Sequence, residues 1–542
     1  MRLKSKHIWF LAFTAAFAVL AGFVFWGTWS LDYAPVMPDA PLTFSPDWLS
    51  DWWRSWLREG SFVPTDILFH LGSPYLWQEM SYALSMYASG LAVAYFLRGR
   101  GLTHLASYGA GLLLAFCGYW CTLFSAGHNG WFFWMTYGLW PLGLFDRAIR
   151  KGKTINWVLL GATIGWAAYR QPDLWFLFAV FTGMYFACRC ICARIFPWRG
   201  LLIAGLSMFV FGGAAFHWAI VRGISGRDEQ IARESGTALT GGEKGKKSGD
   251  ERWIFVTNWS LPTAESLEFF IPRLNGDTSC PMTLSIGAQN GTGVKPYTGA
   301  LGRPIDAKQG NYRQHSLYVG WLTCLLALLG MVTAIVRRER RGDIAFFAIA
   351  AFLCWLFSQG RYCEPVYRVI FSLPFGNYVR APVKWHHLTE FCLVVLAGFG
   401  LETLLMLLKR MNGAAKYAVP IVGVVVAVGA IDLAYHAHIY CSPVDLREAR
   451  RQNSLLQMTF LRKGDFNNPQ IAAMVKAKRI VPLANPNPEV YLVGVLEPWK
   501  KNTDPLPPLS TAAWLSILSM LGTIGLAGYG LKMALAKRLT AR

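Results

Sequence analysis

The chain has 542 residues, of which 54% are hydrophobic and only 15% charged, whereas a soluble chain carries about 25% charged residues. That composition excludes an ordinary soluble globular protein. The net charge of +21 invites a nucleic-acid reading, but the basic residues fall in short clusters between apolar blocks, which argues against one.

In chain order, apolar blocks at 8–28, 80–97, 102–124, 131–146, 155–170, 174–193, 200–221, 317–336, 343–358, 386–408, 417–435 and 511–531 approach the roughly 20 residues needed to cross a bilayer core. They predict an all-α polytopic protein of about twelve transmembrane helices, because a lipid-embedded segment must satisfy its own backbone. Basic clusters punctuate alternate connections: Arg2, Lys4 and Lys6; Arg98 and Arg100; Arg147, Arg150 and Lys151; Arg189 and Arg194; Arg337, Arg338, Arg340 and Arg341; Lys409 and Arg410; Lys532, Lys537 and Arg538. This positive-inside pattern predicts both termini in the cytoplasm. The first apolar run is too long for a cleaved signal and lacks a small-x-small site, so it reads as the first span.

The predicted outer connections are large: 29–79, 222–315, 359–385 and 436–510. In the first, Leu49, Trp52, Trp53 and Trp56 recur at helical spacing, which predicts an interfacial helix with its Trp face toward acyl chains. The stretch 225–252 is polar and Gly-rich, a linker or a lid. Residues 441–510 carry strand-like runs such as Val490–Val493 and predict a small α/β outer segment, before a last span and basic tail at 511–542. Of the cysteines, Cys280, Cys363 and Cys441 fall in outer loops, as one oxidised pair or as three thiols.

Several phrases resemble a known family. Gly127-His128-Asn129-Gly130 precedes an aromatic span with Trp140-Pro141-Leu142, and Tyr318-Val319-Gly320 opens a Leu-rich one. Leu373-Pro374-Phe375-Gly376 runs through Arg380-Ala381-Pro382-Val383-Lys384 into Leu396-Ala397-Gly398-Phe399-Gly400. In order and spacing these resemble the YfhO-type bacterial membrane proteins over residues 1–440, a family similar to the GT-C glycosyltransferases. The resemblance implies a GT-C-like membrane domain in the bacterial cytoplasmic membrane. It also implies a polyprenyl-phosphate-linked sugar as donor and a glycan, lipid or protein as acceptor. The chain departs from the family in its length and in its small outer C-terminal part.

Such chemistry needs a carboxylate to deprotonate an acceptor hydroxyl, and cations for the departing lipid phosphate. The resemblance points to a carboxylate just after the first span, here Asp32 or Asp39, with Asp47, Asp51 and Asp66 as alternatives. Arg380 and Lys384 are the phosphate candidates, since they enter a span from the outer side, against the positive-inside bias. Arg361 and Arg368 are weaker alternatives. His128 stands at the outer end of the third span as a second base, a metal ligand or a structural residue. Asp173 ends a tight turn facing the same compartment. His386 and Glu390 share a helical face at i, i+4 beside His387, costly groups at that depth. The pair is compatible with a divalent metal but lacks a located third ligand. Three competing readings remain: a non-catalytic scaffold of the same fold, a polysaccharide ligase or polymerase, and a transporter or flippase.

Overall fold

The computed structural model describes residues 5–29, 33–35, 48–60, 74–126, 128–169, 171–220, 249–276, 299–301, 316–373, 376, 379–441, 443–445, 447, 451, 454–487, 490–498 and 504–539. The elements run α1 Ser5–Val24, β1 Tyr33–Pro35, α2 Trp48–Glu59, α3 Pro74–Gly99, α4 His104–Ala115, α5 Gly118–Thr122, α6 Asn129–Tyr137 and α7 Trp140–Lys151. Next come α8 Thr154–Ala167, α9 Pro172–Ala193, α10 Trp198–Trp218, α11 Gly249–Val256, α12 Trp321–Val336, α13 Arg341–Ser358, α14 Glu364–Ser372, α15 His386–Arg410 and α16 Ala418–His438. The chain closes with β2 Pro443–Asp445, β3 Ser454–Arg462, α17 Pro469–Lys476, β4 Ile480–Asn487, β5 Val490–Pro498 and α18 Thr511–Leu539.

Among the described residues, 8 helices are long and apolar enough to cross a membrane. The chain is therefore a multi-pass helical membrane protein. The block at 102–124 is not one straight span: α4 and α5 meet at a 50° bend across Phe116 and Cys117. Counting that pair as one span makes 9. The block at 131–146 divides into α6 and α7, where Pro141 occupies the first turn of α7. Thr154–Ala167 and Trp321–Ala334 are shorter apolar helices.

Small residues set the closest helix contacts. A Cβ at Gly161 would fall 2.0 Å from the Ala204 carbonyl oxygen, and one at Gly330 would fall 2.0 Å from that of Leu396. Backbones can approach this closely only without side chains between them, the usual means of helix association in lipid.

The two ends of the bundle differ in chemistry. At one, the basic end, Arg100 bonds Asp343 and stands 3.3 Å from Asp146, while Arg189 Nε donates to Asp146 Oδ1 at 3.0 Å. The Tyr185 hydroxyl donates to Asp146 at 2.9 Å. These groups tie together α3, α7, α9 and α13.

At the opposite end lie the shorter elements. β1 pairs antiparallel with β2, setting Tyr33 against Asp445 and Pro35 against Pro443. β3, β5 and β4 form a three-stranded antiparallel sheet in that order, accompanied by α17, so the segment before the last helix contains both strands and a helix. The Trp-rich helix is present as α2 but does not simply lie on lipid. Trp56 is buried and donates through Nε1 to Ser516 Oγ of α18 at 3.2 Å, while Trp53 stays exposed. Cys363 is a free thiol and is not bridged to Cys441; Cys280 and residues 225–248 of the polar stretch lie outside the described residues.

Candidate functional site

The richest cluster of ionisable side chains at that end gathers where α15 begins. Ala381 adopts φ 65°, in the left-handed region a non-glycine residue rarely visits. Its N–H donates to the Val256 carbonyl at 3.1 Å and that of Val383 to the Trp259 carbonyl at 3.1 Å. These bonds dock the turn before α15 on the segment after α11. Strain of this kind persists only where the surroundings over-determine it.

Lys384, inside this turn, forms a hydrogen-bonded ion pair with Asp173 at the start of α9. Its ammonium also stands 5.6 Å from the Trp131 ring centroid. Asp173 lies in the first turn of α9, where the helix dipole favours a carboxylate. His128 immediately precedes α6, and its ring lies 5.4 Å from that of Trp131. Burial and then the Lys384 ammonium push the His128 imidazole from its ordinary 6.5 to about 4. His128 is therefore neutral at neutral pH and able to accept a proton only weakly.

One turn further along α15 are His386, His387 and Glu390, all sealed from solvent. The Glu390 carboxylate accepts the Tyr119 N–H at 2.8 Å, which anchors it to α5 just past the bend. His386 Nε2 is 3.5 Å from one Glu390 oxygen, and His387 Nδ1 is 4.0 Å from the other. The His386 ring stacks on Phe269 at 4.4 Å; that of His387 lies among Tyr119, Trp131 and Trp120 at 4.3, 4.7 and 5.5 Å. Among the described residues, neither ring nitrogen of His387 has a hydrogen-bond partner, nor does Glu390 Oε2. A buried polar atom without a partner costs about 1–3 kcal/mol, so this cluster is expensive. Ionisable groups retained at such cost inside a membrane bundle make this the candidate functional site.

The cations read from the sequence separate here. Arg380 lies 5.1 Å from the Phe255 ring centroid, beside the cluster. Arg361 is committed elsewhere, donating through Nη2 to the Thr257 carbonyl at 2.8 Å and to Asn258 Oδ1 at 3.1 Å. Burial lowers its pKa. Asp32 and Asp39 lie outside the described residues. His128, Asp173, Lys384, His386 and Glu390 are thus brought together, whereas Arg361 stands apart as a clamp.

Sequence reading passed over Tyr119, Trp131 and Phe269, which wall the histidines. The bend that presents Tyr119 has a signal in Cys117-Gly118, where a Cβ on Gly118 would fall 2.4 Å from the Tyr318 carbonyl oxygen. It also passed over Asp432 on α16, which accepts the Tyr318 hydroxyl at 2.6 Å and lies 3.7 Å from His436. Among the described residues, no group of three or more His, Cys, Asp or Glu side chains is arranged to hold a metal ion. Neither a family model nor a curated protein matches the chain.

Proposed function

We propose that this chain is a membrane glycosyltransferase of GT-C type. It moves a sugar from a polyprenyl-phosphate donor to an envelope acceptor on the outer face of the bacterial cytoplasmic membrane. The shorter and split helices complete about twelve spans, and both termini are cytoplasmic. The observation that carries the reading is the Lys384–Asp173 pair with His128, at the end of the bundle remote from the Arg100–Asp146 network. A cation at the mouth of a carboxylate- and imidazole-lined site suits a departing phosphate next to a proton acceptor.

In this scheme the acceptor hydroxyl attacks the anomeric carbon, and its proton passes to a carboxylate. The bond from that carbon to the phosphate oxygen breaks, and the polyprenyl phosphate leaves. Asp32 or Asp39 is the carboxylate the family resemblance assigns. Arg380 and Lys384 receive the phosphate, which competes with Asp173 for the ammonium.

One observation favours a second reading, a non-catalytic scaffold of the same fold. Lys384 is already neutralised by Asp173, and Arg361 is spent on Thr257 and Asn258. The test is a mass-spectrometric search for polyprenyl-phosphate sugars co-purifying with the detergent-extracted protein, wild type against Arg380→Ala. A lipid-linked sugar present in the first and lost in the second supports the enzyme. Its absence from both, with an envelope protein held tightly instead, supports the scaffold.

A further inference from the structure

The arginines at the basic end fall into two classes. Arg100 and Arg189 are neutralised by Asp146 and Asp343. Arg337 and Arg340 form no ion pair among the described residues. Arg337 Nη2 rests on the sulfur of Met406, a weak acceptor, and Arg340 Nη1 donates to the Arg100 carbonyl. A guanidinium carries five N–H donors, so most of the capacity of both side chains is unspent.

The two line one cleft, between the start of α4, the end of α12 and the second half of α15. Its walls include Gly101, Leu102, Thr333 and Thr403. Glu402 also lines it and would oppose an anion, but its Oε2 already accepts the Thr103 N–H at 2.8 Å and the Thr103 hydroxyl at 2.7 Å. On the same helix, Leu325, Leu328 and Val332 recur at helical spacing and are about half exposed, on a face turned roughly a third of a turn from the Thr333 side that lines the cleft. A ligand here therefore meets two unneutralised guanidiniums in the cleft, with an apolar stripe around the side of α12.

We infer that this cleft binds the phosphate of an anionic phospholipid, its headgroup gripped by Arg337 and Arg340 and an acyl chain laid along α12. Guanidinium forks match phosphate oxygens bidentately, and basic pockets between membrane helices suit anionic headgroups. The inference is independent of the glycosyl-transfer reading, which concerns the other end of the bundle.

The experiment uses the full chain in detergent, titrated with short-chain phosphatidylglycerol, short-chain phosphatidylcholine or inorganic phosphate, with binding read by native mass spectrometry and by thermal shift. Phosphatidylglycerol should bind and stabilise, and the other two should not. Arg337→Gln with Arg340→Gln should weaken phosphatidylglycerol binding at least about tenfold, the scale of losing charge-assisted bonds. Arg338→Gln with Arg341→Gln, on exposed neighbours, should leave it unchanged. Arg337→Gln alone, whose wild-type contact is only a thioether, guards against misfolding of the double variant and should give an intermediate loss. Equal loss in both double variants would overturn the site in favour of a diffuse basic surface. Stabilisation by inorganic phosphate as strong as by lipid would overturn the lipid as ligand.

Discussion

His387 shows most sharply what single residues cost in this molecule. Its ring lies among three aromatic rings with neither nitrogen bonded. Phenylalanine has the same shape without the two unsatisfied atoms. His387→Phe is therefore expected to stabilise the protein by about 1–3 kcal/mol, read as a raised melting temperature in detergent. A lowered melting temperature would mean that the imidazole is satisfied by bound water. His128 makes a pH prediction. Its folded-state pKa of about 4 lies below the ordinary 6.5, so between those values the unfolded chain binds more protons. Stability from this group is full above pH 6.5 and is lost as pH falls toward 4. The melting temperature should drop across that window, and His128→Gln should flatten the drop. Both histidines could be singled out in the sequence, His128 by its short loop and His387 by its place in a span. The aromatic wall of His387 could not, because Tyr119, Trp120 and Trp131 come from segments distant from it in sequence.

Among the elements, helix contacts hang on backbone approach. Gly330→Val would drive a side chain into the Leu396 carbonyl, and overpacking of this kind costs roughly 1–3 kcal/mol. Gly205→Ala on α10 meets nothing within 4 Å and should be neutral or slightly stabilising, since alanine is favoured over glycine in a helix by about 1 kcal/mol. Thermal denaturation of the two variants side by side checks the contrast; equal effects would mean the α12–α15 contact is looser than described. The helical blocks themselves were legible, since apolar length is what a bilayer demands. The bend at Cys117 and the division at Gly138–Leu139 were not, because hydropathy averages over a break. The Trp-rich segment was legible as an amphipathic helix, but which surface it covers depends on α18, more than four hundred residues away.

Across the whole molecule, charge separates the two ends. The basic clusters were legible as charge gathered between apolar blocks, but the acids that neutralise part of them were not. Asp146 lies inside an apolar block, and only folding brings it to Arg100, Arg189 and Tyr185. Asp146→Asn leaves two guanidiniums short of a counter-charge. Breaking a buried pair by removing one partner costs about 3–5 kcal/mol. The expected result is a large fall in melting temperature, which Asp343→Asn should reproduce because it serves the same arginines. A fall of less than a degree would show that water screens the network.

The pairing of β1 with β2 bears on how the chain is made. Pro35 meets Pro443, and soon after it the Leu57 carbonyl accepts the Ser510 N–H at 3.1 Å. The exit of the first helix is thus closed by segments synthesised last. At about 5–20 residues per second, ribosomes need roughly 20–80 seconds to travel between the two strands. Throughout that interval the early segment after the first helix stands without its partners. A quality-control protease or an insertion chaperone would have its longest opportunity there, before the C-terminal strand arrives.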